Sequence, residues 1–389
     1  MTAGEGVQIR KSRILVVDDV EMNRDVLARQ LRRMGHDPSI AENGRTALEA
    51  VRATPFDLVL LDIMMPEVDG YEVLRQLKED PALRDIPVVM ISAIGDTESV
   101  ARCIELGAED YLPKPFNPLI LKARVNASLV KKRLHEQEKL YAESLARELE
   151  IGRRIQAGFL PDRLPERAGW EIAARFEPAR QVAGDFYDAF ELAGGAIAIL
   201  VADVCDKGVG AALYMALFRS LLRAFATSAA GSGRPADELL VDTVSLTNDY
   251  IAETHGGANM FATLFFGILS PGNGDLLYVN RGHDAPLITS GGAVRRLPPT
   301  GAALGLFPGL PFSTGLDRLA PGETLLLFTD GVTEARGPDG AFGEERLLAA
   351  AAVNASASAL LAALVDELHA HVAGAAPHDD VTLVAVRRN

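Results

Sequence analysis

Between Pro118 and Gly152 the chain contains neither glycine nor proline, and this gap divides everything else. The segment is dense in Lys, Arg and Glu, with apolar positions at Leu129, Leu134, Leu140, Tyr141, Leu145, Leu149 and Ile155. Such a composition predicts one long helix, ended by Gly158 and the stretch Pro161 to Pro165. Its apolar spacings are mostly three to five rather than a strict heptad. They suit a coiled-coil dimer, and also a single helix packed on its own domain. A chain of 389 residues exceeds the roughly 100–200 typical of one domain, so a domain is expected on each side of this helix. The boundaries drawn are a first domain at 12–125, a helical linker at 126–160 and a second domain at 161–389.

The two flanks differ in texture. From Arg13 to Phe116, apolar runs (Ile14–Val17, Leu58–Leu61, Val88–Ile91 and a short Asp110–Leu112) alternate with amphipathic stretches at Glu21–Met34 and Thr46–Ala53. That alternation predicts an α/β domain with a parallel sheet. Beyond Trp170, short apolar strands are expected at Ile172–Phe176, Ala196–Val201, Phe261–Leu269, Leu276–Val279, Pro286–Ile288 and Thr324–Phe328. Helices are expected at Ala211–Ala226 and Ala236–Ala252. Strands and helices in blocks point to an α+β sandwich.

Several function classes are disfavoured. Acidic residues outnumber basic ones 53 to 39, for a net charge of −14, so neither nucleic acid nor an anionic membrane is expected as a partner. Cys103 and Cys205 fit neither a disulfide framework nor a zinc site, which agrees with a reducing cytoplasm. Met1 to Arg13 lacks the apolar core of a secretory signal. The uncharged stretch Leu347 to Val365 approaches a membrane span in length. It is mostly alanine, broken by Asn354, Ser356 and Ser358, and reads as a loop between soluble helices rather than as an inserted segment.

The first domain places acids and a lysine at the ends of its apolar runs: Asp18 and Asp19, Asp62, Ser92 and Lys114. In a parallel sheet these ends converge on one crevice. Three carboxylates there favour a divalent cation with oxygen ligands, and one can then attack phosphorus as a nucleophile. The strings VVDD, LLDIMMPEVDG, ISA and YLPKP resemble the receiver domain of two-component response regulators, over about residues 12 to 125. The resemblance implies a flavodoxin-like fold with a five-stranded parallel sheet and makes Asp62 the phosphoacceptor. It implies Mg²⁺ held by Asp19, Asp62 and the carbonyl of Met64, with Asp18 assisting. Ser92, Tyr111 and Lys114 become the switch and phosphoryl-binding residues, and Pro115 is expected to follow a cis peptide bond.

The second domain carries four acidic clusters beside apolar strands: AGDFYD with Asp185 and Asp188, VADVCDKG with Asp203 and Asp206, LFTDGVTEA with Asp330, and HDDVTLVAV with Asp379 and Asp380. Two divalent cations held by such a set activate a water and stabilise in-line displacement at phosphorus. No Cys-His or Ser-His-Asp set competes. These strings, with RRIQAGFLP, NMFATLFFGIL and NRGHDAPLI, resemble the PPM family of metal-dependent serine/threonine phosphatases, in the form found in bacterial sporulation and stress-response regulators. The resemblance covers about Arg153 to Arg387 and implies a β-sandwich with two Mn²⁺ or Mg²⁺. Asp185 would bridge both cations, Asp203 and the carbonyl of Val204 would hold one, and Asp330 and Asp379 the other, with Asp380 the alternative to Asp379.

Three positions depart from the family pattern. Val204 stands where relatives carry glycine, which a carbonyl ligand tolerates. Asp206 occupies a position usually small, as an added ligand or a solvated loop acid. Arg281 replaces a small residue and could reach the substrate phosphate, but the arginine of the eukaryotic relatives has no recognisable match, so the phosphate-binding group stays open. His283 in its Gly-flanked turn is either a general acid or a structural residue, more often the latter. His369, His371 and His378 read as unrelated to a metal, and Cys205 as a small buried residue.

Together these readings describe a response regulator. A histidine kinase or phosphotransfer protein would phosphorylate Asp62, and the output domain, in a homodimer, would dephosphorylate an anti-sigma-factor antagonist. The alternatives are a phosphorylation-dependent binding adaptor on an inactive phosphatase fold, which would be free to lose its acids, and a small-molecule phosphatase.

Overall fold

In the computed structural model, residues 11–93, 97–231, 233–338, 340–352, 356–375 and 377–389 are described. The first residues of the expected signal-free terminus and Asn354 lie outside them. The chain forms two compact units, Met1–Leu145 and Ala146–Asn389.

The first unit alternates strands and helices: β1 Arg13–Val17, α1 Glu21–Arg33, β2 Asp37–Ala41, α2 Gly44–Ala53, β3 Leu58–Asp62, α3 Gly70–Glu79, β4 Val88–Ala93, α4 Thr97–Glu105 and β5 Asp110–Lys114. The sheet is fully parallel in the order β2-β1-β3-β4-β5, the flavodoxin-like arrangement. Every residue of β3 is buried, because helices cover both faces of a parallel sheet. Leu15, Val17, Val59 and Leu61 face one apolar layer, and Ile14, Val16, Leu58 and Leu60 the other. Strand β2 escaped the sequence reading. Its segment DPSIA holds a proline and is largely solvent-facing, as befits an edge strand. Caps sharpen two helix starts: Asn43 and Thr46 exchange hydrogen bonds at α2, and Asp69 accepts from Glu72 N at 2.9 Å at α3.

The expected long helix is α5, Pro118–Ala157. Leu121, Val125 and Leu129 enter the core of the first unit. Leu134, Leu140, Tyr141, Leu145, Ile151 and Ile155 are exposed.

The second unit is a sandwich of two antiparallel sheets. Its elements are β6 Trp170–Glu177, β7 Phe186–Glu191, β8 Ile197–Val204, α6 Val209–Gly231, α7 Ala236–His255, β9 Ala262–Leu269, β10 Asp275–Arg281, β11 Leu287–Ser290, β12 Ala293–Arg296, β13 Gly315–Arg318, β14 Thr324–Phe328, α8 Asp330–Thr333, β15 Arg336–Gly337, β16 Gly340–Ala341, α9 Gly343–Ala351, α10 Ala357–Val372 and β17 Val381–Arg388. One sheet runs β13-β10-β9-β8-β7 and the other β12-β11-β14-β17-β6. Ile199, Val201 and Phe265 from the first meet Leu325, Leu327 and Val384 from the second in a shared core. Helices α6 and α7 cover the outer face of the first sheet, and α9 and α10 that of the second.

One sequence reading on an apolar stretch needs adjustment. Residues 347–365 are not a loop: apart from 353–355, which are not described, they form the end of α9 and the first half of α10. Alanine and leucine are strong helix formers, and Ser356 caps α10 by accepting from Ala359 N at 3.2 Å. Leu347, Leu360, Leu361 and Leu364 are buried in the outer core. Helix α6, by contrast, is long and apolar enough to cross a membrane. Its Ala211, Met215, Phe218, Leu222 and Ala226 pack into the core between the helices and the first sheet.

Candidate functional sites

At the ends of β1 and β3 in the first unit, Asp18, Asp19 and Asp62 bring carboxylate oxygens within 4.8 Å of one another. Asp18 is held by Val20 N at 2.9 Å and by Asn23 Nδ2 at 3.0 Å to each oxygen. Lys114 Nζ, at the end of β5, lies 3.0 Å from both Asp18 Oδ2 and Asp62 Oδ1. Burial raises the Asp62 pKa, and the bond to Lys114 only partly offsets it. Burial also works against the Lys114 ammonium, yet its bonds to Asp62 and Asp18 outweigh it and raise its pKa. Gly70 is a steric requirement here. A Cβ at that position would stand 2.2 Å from the Asp62 carbonyl oxygen, so glycine lets α3 start against the acceptor strand. Ser92 is buried at the end of β4, while Met64 is exposed just beyond β3. Tyr111 lies under Arg124, whose guanidinium carbon is 5.5 Å from the ring centroid. The Lys114–Pro115 bond is cis. Three clustered carboxylate oxygens are the hard donor set that Mg²⁺ takes, so the residues fit that cation.

In the second unit, two strand pairs, one from each sheet, deliver the acids. Asp185 precedes β7, and Asp203 lies near the end of its partner β8. Asp330 opens α8 just after β14, and Asp379 precedes its partner β17. Two threonines join the sheets. Thr329 Oγ1 donates to Asp185 Oδ2 at 2.6 Å, and Thr382 Oγ1 donates to the same oxygen at 2.7 Å. Two glycines permit the close approach. A Cβ on Gly331 would overlap the Asp380 carbonyl oxygen at 1.9 Å, and one on Gly184 would stand 2.8 Å from the Val204 carbonyl oxygen. The first brings Asp330 beside Asp379. The second sets the Val204 carbonyl against the residue preceding Asp185.

The electrostatics record the crowding. Burial and the charge of Asp203 raise the Asp185 pKa well above the usual carboxylate range, against the two threonine bonds. Burial and the charge of Asp330 push Asp203 up to about 7. Burial, then Asp379, Glu334 and Asp284, push Asp330 up to about 6. Acids held together against this repulsion suit divalent cations, and two cations about 3.5–4 Å apart spread their ligands to either side. Carboxylates and a carbonyl are the hard oxygen donors that Mn²⁺ and Mg²⁺ take, although among the described residues only Asp18, Asp19 and Asp62 already bring three such atoms within 4.8 Å of one another.

The adjacent acids Asp379 and Asp380 separate in role. Asp380 is buried, and its carboxylate accepts from Ala179 N at 2.8 Å and Gly184 N at 2.9 Å, bracing the segment that leads into Asp185. Asp379 faces outward and meets Lys207 Nζ at 2.6 Å. Asp188 leaves the cluster altogether. Three residues beyond Asp185, an odd spacing that reverses the face, it is fully buried on the helix side, 3.0 Å from Arg219 and 2.9 Å from Arg223 of α6. Asp206 is exposed, adopts φ 72°, and accepts from Lys207 N at 2.8 Å. Arg281 is fully buried over the Phe312 ring, 4.7 Å from its centroid. Its nearest polar contact is the Leu310 carbonyl at 3.4 Å, so it does not present a cation to solvent. His283 is buried with Nδ1 2.8 Å from Thr263 Oγ1, and burial lowers its pKa to about 4. That places it with structural histidines. His369 pairs with Glu177 at 2.7 Å, and His371 with Arg346 at 2.5 Å.

Sequence reasoning assigned no role to Thr329, Thr382, Lys207 or Gln156, although each stands in a string it quoted. Gln156, buried in the last turn of α5, donates to Ala183 O at 2.6 Å and accepts from Ala183 N at 3.0 Å, two residues before Asp185. Only the alternation of apolar and polar residues is visible in a string, and these contacts join segments far apart in the chain.

The first unit thus sets clustered acids and a lysine at the strand ends of a parallel sheet, and the second brings four aspartates together from two antiparallel sheets. Residues 193–389 match the model of the stage II sporulation protein E (SpoIIE) family, and 14–126 that of the response regulator receiver domain. The chain belongs to the SpoIIE family and carries a receiver domain ahead of it. Protein IcfG of Synechocystis sp. is 46% identical over 263 residues, covering 62% of this chain and 42% of that protein. Response regulator PleD of Caulobacter vibrioides is 34% identical over 220 residues, covering 54% of this chain and 48% of its own length. The chain thus spans less than half the length of these relatives. The SiaA-PP2C domain of Pseudomonas aeruginosa shares the fold, with a TM-score of 0.55 at 23% identity, over 64% of this chain and 99% of that one.

Proposed function

We propose that the protein is a metal-dependent phosphoserine/phosphothreonine protein phosphatase whose activity is set by phosphorylation of Asp62. The convergence of Asp185, Asp203, Asp330 and Asp379, each raised or crowded by the others, carries this reading. An adaptor without catalysis has no use for four converging acids, one buried and three half-buried, and keeping them together costs stability. Bound divalent cations supply an activated water and charge neutralisation at phosphorus. Asp185 would lie between the two cations, oriented by Thr329 and Thr382. Asp203 with the Val204 carbonyl would hold one, and Asp330 with Asp379 the other. Asp380 acts as a brace for the segment carrying Asp185.

In the receiver, Asp62 accepts a phosphoryl group from a histidine kinase or phosphotransfer protein, with Mg²⁺ at Asp18, Asp19, Asp62 and the Met64 carbonyl. Lys114 and Ser92 take the phosphoryl oxygens, and Tyr111 reports their occupancy. The exposed apolar residues of α5 support a homodimer through this helix. The substrate class is a small phosphorylated regulator of the anti-sigma-factor-antagonist type, encountered in the cytoplasm. The test is incubation with candidate phosphoproteins and Mn²⁺ or Mg²⁺, with and without acetyl phosphate. Phosphate release that depends on the cation and changes with acetyl phosphate supports the reading. Absence of release under every condition refutes it.

A further inference from the structure

We propose that Lys207 binds the phosphoryl oxygens of the substrate, an assignment that rests on the phosphatase reading above. A cation of the protein's own beside the acids favours a phosphoryl group entering the cluster, and the sequence leaves that group open. Arg281, the candidate there, is fully buried over Phe312. Arg219 and Arg223 are committed to Asp188 on the far face of the first sheet. Lys207 has neither restriction. Its ammonium lies 2.6 Å from Asp379 Oδ2 and 3.0 Å from the His378 carbonyl oxygen, and its side chain keeps about a third of its surface in solvent.

The loop that presents it is built for the purpose. Asp206 at φ 72° and Gly208 at φ 89° turn the chain sharply after β8, and the Asp206 carboxylate fixes the Lys207 amide at 2.8 Å. The same loop passes Gly184, whose missing Cβ leaves room for the Val204 carbonyl, so Lys207 is carried on the segment that holds the candidate ligands Asp203 and Val204. The flexible four-carbon stem lets the ammonium exchange Asp379 for a phosphoryl oxygen without moving the backbone. Arg336 is the comparison residue. It is exposed and borders the same cleft as Gly331 and Asp379, but it contacts none of the four acids.

The experiment uses the full chain with Mn²⁺, a phosphoserine peptide and inorganic phosphate as a competitive inhibitor, in wild type, Lys207→Gln, Lys207→Arg and Arg336→Gln. A charge-assisted hydrogen bond corresponds to roughly a tenfold effect or more. Lys207→Gln is therefore expected to raise KM for the peptide and Ki for phosphate by about that factor. Lys207→Arg should recover part of the loss. Mn²⁺ affinity, measured by calorimetry without substrate, should be unchanged or tighter in Lys207→Gln, because a competitor for Asp379 has been removed. An unchanged Ki for phosphate in Lys207→Gln overturns the assignment and leaves Lys207 a counter-ion of Asp379. So does a rise confined to Arg336→Gln. A wild type that hydrolyses no phosphopeptide, but whose phosphate affinity measured directly by calorimetry falls in Lys207→Gln, refutes the phosphatase reading and keeps the phosphate site. A wild type that does neither refutes both.

Discussion

Neutralising one of the crowded acids should stabilise the fold while abolishing its chemistry, and Asp203→Asn is the sharpest case. Burial and Asp330 raise the Asp203 pKa from 3.8 to about 7. At about 1.36 kcal/mol per unit, holding it ionised costs on the order of 4 kcal/mol. Asparagine removes that charge with little change of shape, and its amide donates to Asp185. An imperfectly paired buried amide costs about 1–3 kcal/mol of this, leaving a net gain of roughly 1–3 kcal/mol. Because the folded pKa is raised, the penalty in wild type is full above about pH 7, shrinks as the pH falls, and is gone below the unfolded value of 3.8. The measurement is thermal unfolding in chelator at pH 8 and pH 5. A domain of this size gains roughly 2–4 °C per kcal/mol, so the variant should melt several degrees above wild type at pH 8 and show less advantage at pH 5. Added Mn²⁺ should raise the wild-type melting temperature and leave the variant nearly unmoved. Phosphopeptide turnover should be lost. A variant that melts at or below wild type at pH 8, with a wild type indifferent to Mn²⁺, would refute the picture of acids held together for cations.

Three further outcomes are expected. Asp62→Ala should take up no phosphate from acetyl phosphate with Mg²⁺, and phosphatase activity should stop responding to the donor; continued labelling would point to another carboxylate. Asp188→Ala should leave Arg219 and Arg223 without their shared partner, and breaking such a buried pair costs about 3–5 kcal/mol, to be read in urea unfolding; a change under 1 kcal/mol would show that solvent already satisfies the arginines. His283, neutral with a pKa of about 4 against 6.5 unfolded, should cost stability as the pH falls from about 6.5 towards 4, because the unfolded chain takes up the proton first. Wild type should thus lose about 3 kcal/mol more than His283→Gln between pH 7 and pH 4, and parallel curves for the two proteins would show that the histidine titrates freely when folded.

How much of the site was legible depended on whether its residues act locally or across the fold. Asp62, Lys114, Asp203 and Asp330 could be named from the sequence because each sits at the end of an apolar run, where strand geometry carries it to one sheet edge. Asp188 shows the limit of that logic. It shares a cluster with Asp185, but side chains alternate across a strand, and an odd spacing sends it to the opposite face. Arg281 shows another limit, since a cation in a suggestive string turned out to be packed over an aromatic ring. Strand β2 was missed because an edge strand needs no apolar run. Residues 347–365 were misread because alanine is ambiguous until a neighbouring surface is present to bury the leucines.

The sequence alone determined the two α/β and α+β units, the helix between them and the acids at the strand ends. Those features follow from periodicity, propensity and turn chemistry, which act over a few residues. Only the tertiary structure decided that Thr329 and Thr382 orient Asp185, that Asp380 braces while Asp379 faces outward, and that Gln156 grips Ala183. It also set the Lys207 ammonium against Asp379. Each of these depends on hydrogen bonds between segments distant in the chain, whose pairing is set by the packing of two sheets and has no trace in local pattern.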